Sequence, residues 1–202
     1  MTAPTTGATA SFSTGPNVTT DNAGLAQVSV VAGSVSGTYN VGANLTSGLT
    51  LGPAIFNLAN HTRIEAWRAA NLAGEWRNTG NAANNAAPFH DGVVNLLKFA
   101  FNLNAQAPDS TTMTATGSKG LPLLGRDPTG RLTLTFVRRK AATTPGIAYV
   151  VEFSDSLADS FAPNPLATTA PVVSIDGTWE RVVVVDSAPS SQRFAQLVVT
   201  AP

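Results

Sequence analysis

The feature that most restricts what this chain can fold into is alternation. Tyr39, Val41, Ala43 and Leu45 are apolar, and Asn40, Gly42 and Asn44 lie between them. A period of two sends one set of side chains to each face of a strand, a spacing that no helix face shares. Ala8–Ser13 repeats the rhythm around Phe12, and so do Leu25, Val28 and Val30, Ala54, Phe56 and Leu58, and Arg131–Phe136. Turn chemistry separates these runs: Asp21 to Gly24, Gly33 to Gly37, Asp127 to Gly130, and the pair Asp176 and Gly177. Short strands punctuated this often predict β-sandwich architecture.

Composition then removes whole classes of function. Twelve basic residues balance twelve acidic ones, so the chain carries no net charge to attract nucleic acid or an anionic membrane. No cysteine is present, which excludes disulfides, thiolate metal sites and a cysteine nucleophile. The longest apolar runs, such as Val182–Val185, fall far short of the ~20 residues a membrane helix needs. The N-terminus lacks the basic and long apolar regions of a signal peptide. Residues 1–60 nevertheless carry one charged side chain, Asp21, amid Gly, Thr, Ser, Ala and Asn. That bias suits an exported bacterial repeat module, and the chain is expected to be a fragment whose export signal lies upstream of Met1.

The reading divides the chain into residues 1–60, a β-sandwich part; 61–107, helical; 108–120, a linker rich in Ser, Thr, Gly and Pro; and 121–202, again β. In the helical region Ile64, Trp67, Asn71 and Leu72 form a stripe with Arg63, Glu65 and Arg68 beside it. Thr62 and Glu65 have capping-box spacing. A second helix is expected from Val93 to about Leu103, burying Val93, Leu96, Leu97, Ala100 and Phe101 or a rotated subset of them. In the last region Ile147–Phe153, Val172–Ile175, Thr178–Val185 and the segment holding Phe194, Leu197 and Val199 read as strands.

One constellation looks metal-like. A calcium loop of the EF-hand kind converges oxygen ligands from alternate positions, bends at a glycine in the sixth place and closes with a bidentate Glu in the twelfth. Residues 87–98 follow that skeleton: Asp91 takes the fifth place, Gly92 the sixth and Asn95 the ninth. Ala87, Phe89 and Lys98 stand where further ligands belong. Asp91 and Asn95, with neutral oxygens from Asn81, Asn84 and Asn85, are candidate ligands for weakly bound calcium; the other reading is a relic loop kept for its turn.

Catalytic patterns are sparse. His61 and His90 are the two histidines, no Gly-x-Ser-x-Gly elbow occurs, and Glu65, Glu75, Glu152 and Glu180 are scattered over separate elements. The run Arg138, Arg139, Lys140 reads as solubilising charge or as a patch for an anionic glycan. Of Trp67, Trp76 and Trp179, the first fits a helical stripe and the last hairpin packing. Trp76, after a glycine, has the best prospect of exposure.

Two resemblances extend this. Gly7–Phe12, Val18–Ala26, Gly37–Val41 and Ala54–Leu58 resemble the later strands of a bacterial Ig-like domain of the invasin/intimin type, whose opening strands would precede Thr2. Ile64–Asn71, Asn78–Ala83, Asp91–Leu97 and Phe99–Phe101, followed by Leu132–Lys140, Tyr149–Glu152, Ser154–Leu157 and Arg193–Val199, resemble a C-terminal segment of large secreted Verrucomicrobia-type proteins. There the loop is an Asp-rich calcium loop of the EF-hand or thrombospondin type 3 kind. Together they imply a mainly β chain: a truncated Ig-like sandwich, a short two-helix segment and a C-terminal antiparallel β-sandwich. The implied role is non-catalytic, a spacer and terminal module of a secreted or surface-displayed protein. Its expected partners are upstream domains of the same polypeptide and a surface glycan or matrix, with no nucleic acid and no membrane insertion. The alternative is a carbohydrate-binding module attached to a polysaccharide-degrading enzyme.

Overall fold

The structure is a computed structural model, and residues 1–46, 52–189 and 192–201 are described. It is mainly β, with antiparallel sheets and two α-helices, consistent with a β-sandwich-like class. Contacts divide the chain into two compact units, Met1–Ala66 and Trp67–Pro202. The expected break at residue 60 thus falls six residues later, inside a helix.

The first unit holds β1 (Ala10–Phe12), β2 (Val30–Ala32), β3 (Gly37–Ala43) and β4 (Ala54–Asn60). They pair as two antiparallel ribbons, β1 with β2 and β3 with β4. Alternation in β3 works as read: Tyr39 and Val41 are buried with Ala10, against Phe12 and Leu58. Asn60 ties the ribbons together. Its Nδ2 donates to the carbonyls of Thr9, Gly33 and Val35, and its Oδ1 accepts from the Tyr39 hydroxyl. The strand expected through Leu25 and Val28 begins only at Val30. The Asp21 carboxylate captures the amides of Ala23 and Leu25, and this prolongs the turn. Phe56, expected inside, is 51% exposed, and Ile55 on the opposite face is 53% exposed. Neither face of β4 is covered there, because the small core stops at Val41 and Leu58.

Helix α1 (Arg63–Asn71) starts on the expected capping box: the Glu65 amide donates to Thr62 Oγ1, and the Thr62 amide donates to Glu65 Oε2. In the second unit, a single 3₁₀ turn at Gly80–Ala82 precedes α2 (Asn95–Ala100). Eight strands follow: β5 (Leu123–Arg126), β6 (Arg131–Arg139), β7 (Ala148–Ser154), β8 (Ala162–Pro163), β9 (Thr168–Thr169), β10 (Val173–Ser174), β11 (Trp179–Pro189) and β12 (Phe194–Thr200). One sheet has the order β10-β11-β6-β5, with β9 also on β11; the other is β12-β7-β8.

One core joins these sheets to α2. Val93, Ala100, Phe101 and Leu103 are buried with Leu134, Phe136, Val137 and Val182, and Tyr149, Val151, Leu197 and Val199 pack on them. The helical and C-terminal regions, read separately in the sequence, therefore form one body. Residues 108–120 are part of it rather than a linker. Met113 is 3% exposed in the core, its amide donates to the Leu121 carbonyl, and Gly120 donates to the Phe101 carbonyl. Gly120 has a φ of +122°, and a Cβ there would lie 2.5 Å from the Met113 nitrogen. The small-residue composition that suggested a linker instead permits this close approach.

Candidate functional site

Helix α2 is short, and its buried face mixes polar with apolar side chains. Asn95, Lys98, Phe99 and Ala100 point inward, while Leu96 and Leu97 are half-buried. Six residues hold no helix without outside contacts, and the ends of α2 are fixed by its surroundings. The Asn95 and Leu96 amides donate to the carbonyls of Ala86 and Asn84. At the C-terminus Asn102 adopts φ 57°, and the Leu103 amide returns to the Lys98 carbonyl, the six-to-one bond of a Schellman cap.

The candidate calcium ligands lie in the turn that leads into this helix. His90 (φ 55°) and Gly92 (φ 75°) are both left-handed and flank Asp91. The Asp91 side chain is 5% exposed, and both its oxygens are occupied. Oδ1 accepts from the Val93 amide at 3.1 Å. Oδ2 accepts from the Asp109 amide at 2.8 Å and from Lys98 Nζ at 2.7 Å. Lys98 is fully buried, and its ammonium also donates to the Ala107 carbonyl at 2.7 Å and sits 4.6 Å from the centre of the Phe89 ring. Burial alone would raise the Asp91 pKa. The Lys98 ammonium and the two amides outweigh it and hold the carboxyl at about 2.

Asn95 serves other partners. Its Nδ2 donates to the carbonyls of Asn81 and Ala83 at 2.8 and 2.9 Å, and its Oδ1 is buried without a hydrogen-bond partner. Of the asparagines expected to add oxygens, Asn81 and Asn85 are exposed and Asn84 is engaged elsewhere. Asn84 Oδ1 accepts from the buried Arg68 at 2.6 Å, and Asn78 Oδ1 accepts from the Asn84 amide. Arg68, read as lying beside the apolar stripe of α1, is thus the hub of the 76–84 loop: its guanidinium donates to the Trp76 carbonyl and to Asn84 Oδ1.

These residues do not fit a calcium ion. Calcium takes six to eight oxygens. Here the one carboxylate is neutralised by a buried ammonium, and the Asn95 amide is turned to backbone carbonyls. Among the described residues no three His, Cys, Asp or Glu side chains gather to hold a metal.

The candidate glutamates are spent on local contacts. Glu65 caps α1, Glu75 accepts from the Arg77 amide, Glu152 accepts from Gln196, and Glu180 pairs with Arg138 at 2.7 Å. His90 is exposed in the tight turn, and its amide donates to the Ala87 carbonyl. The basic run is internal wiring. Arg139 lies 3.8 Å from the Phe99 ring centre and 4.3 Å from that of Trp179, with Nε on the Phe99 carbonyl. Lys140 Nζ bonds the Ser174 hydroxyl and the Asp176 carbonyl.

Sequence reasoning missed one further cluster, around Asp186. This buried carboxylate accepts from Arg193, from Asn164 Nδ2 and from the Ser187 amide, and Arg193 reaches on to Asp155. An aspartate following the apolar run Val182–Val185 was the available signal. A groove of about 560 Å³ opens beside Phe89, lined by Asn71, Leu72, Glu75, Asn81 and Gln106 among others. Comparison with protein-family models, with curated proteins and with solved structures finds no match to this chain.

Proposed function

We propose that this chain is a non-catalytic structural and interaction portion of a large exported bacterial surface or extracellular protein, a spacer joined to a terminal module. The observation that carries the reading is how the two kinds of side chain are used. Asp91 and Lys98, Glu180 and Arg138, Glu65 and Arg139 are engaged in internal ion pairs, a helix cap and cation–π stacks. In the first unit, by contrast, β2 and β4 present Val31, Ile55 and Phe56 to solvent, with no charged or proline residue in either strand to protect it. Such strands suit completion by neighbouring strands, which upstream domains of the same polypeptide would supply. The near-absence of charge over residues 1–60 favours an exported repeat module over a cytosolic enzyme.

The carbohydrate-binding reading is weaker, because it needs an open aromatic platform. Trp179 is buried against Arg139, Trp67 packs edge-on against Phe99, and Trp76 is half-buried with Arg77 over its ring at 4.7 Å.

The test is protease shaving of intact source cells, followed by immunodetection of this chain. Loss of the signal without cell lysis is expected. A signal found only in the cytosolic fraction would overturn the proposal.

A further inference from the structure

We infer that Lys98 is itself the structural cation of the 87–98 loop, a covalently tethered ammonium held where a loop of this shape would hold a metal ion. Three observations converge on Nζ. Asp91 Oδ2 and the Ala107 carbonyl each lie 2.7 Å away, and the Phe89 ring closes the site at 4.6 Å. The partners come from three different stretches of chain: the turn before α2, the loop after it, and the segment entering the turn. Bringing them together on one positive charge is what a bound ion does in a calcium loop.

The register supports the same assignment. Lys98 occupies the twelfth place, where a calcium loop has its bidentate carboxylate, so a cation replaces the ligand that would otherwise call for one. A lysine in that place is long enough to carry its charge back to the carboxylate in the fifth. The loop that follows is fixed in turn: the Asp109 amide donates to Asp91, and the Asp109 carboxylate accepts the amides of Asn104 and Thr111. The consequence is a module whose loop is ordered without divalent ions and is indifferent to their removal.

Four measurements test this, three of them on the unaltered protein. Its melting temperature is expected to agree within about 1 °C between millimolar calcium and excess EDTA, since a ligand that does not bind the native state cannot stabilise it; a calcium-dependent rise overturns the inference. In amine labelling of the folded protein, exposed Lys119 reacts and Lys98 reacts only on unfolding; equal labelling of the two overturns it. The intact mass should equal that of the sequence; a mass lower by one water would mean that Lys98 and Asp91 have condensed to an amide, and the ion-pair assignment would fall. Finally, Lys98→Met leaves Asp91 buried and unpaired and should lower the melting temperature by roughly 10 °C, while adding Asp91→Asn should recover a substantial part of the loss. Melting of Lys98→Met at the wild-type temperature overturns the inference, and if that variant does not fold, the first three measurements still decide.

Discussion

Asp91 and Asp127 are both held at about 2, Asp91 by the Lys98 ammonium and two amides against its burial, Asp127 by the Thr129 hydroxyl, then Arg131 and backbone amides. Asp186 is lowered as well: its burial opposes the shift, and Arg193 and Asn164 outweigh it. In the unfolded chain such groups take up protons near pH 4. The unfolded state therefore binds more protons between about pH 4 and pH 2, and stability is lost as pH falls through that window. The urea midpoint is expected to stay level from pH 8 to about pH 5 and to drop below about pH 4. Asp91→Asn should flatten the acid limb, and an unchanged limb would count against the pair. Asn60 offers a second prediction at this scale. Asn60→Leu removes a donor from three part-buried carbonyls and the acceptor of the buried Tyr39 hydroxyl, and should cost about 1–3 kcal/mol in the first unit, read by far-UV circular dichroism during urea unfolding.

Arg139 connects two elements that the sequence separates by 80 residues, since its guanidinium stands between Phe99 of α2 and Trp179 of β11. Both rings offer their faces to a planar, delocalised cation, which an ammonium cannot reproduce. Arg139→Lys should therefore destabilise the second unit by about 1–2 kcal/mol although charge is kept. Arg139→Ala should cost about 2–4 kcal/mol, because packing is lost too. Tryptophan fluorescence during urea unfolding measures both. Helix α2 shows how such contacts override local pattern. The spacing suggested Val93, Leu96, Leu97, Ala100 and Phe101, or a rotated subset, as the inner face; Val93, Ala100 and Phe101 are buried, but Leu96 and Leu97 are only partly covered, and Asn95 and Lys98 lie inside as well. The rotation follows from partners that the local pattern cannot reveal: the Ala107, Asn81 and Ala83 carbonyls and the Asp91 carboxylate.

For the whole molecule, the two units differ in the core each possesses. Among the described residues, three buried ones anchor the core of the first unit, against nine in the main core of the second, and the three tryptophans all lie in residues 67–202. Heating should therefore reduce the far-UV β signal in a first transition that leaves tryptophan fluorescence unchanged, followed by a second in which both change. A single coincident transition by both probes would contradict this. What the sequence determined by itself is local. Alternation placed β3 and β6, the Thr62–Glu65 box started α1, and Asp21, Asp127 and Asp176 marked turns that their own carboxylates close, because each of these signals acts over a few residues. Tertiary structure alone decided which polar side chains lie inside. Lys98, Arg68, Asn60 and Asp186 are buried because carbonyls, amides and counter-charges from other segments satisfy them there. A polar side chain far from such partners keeps its water, so nothing in its own neighbourhood of sequence announces that it will be buried.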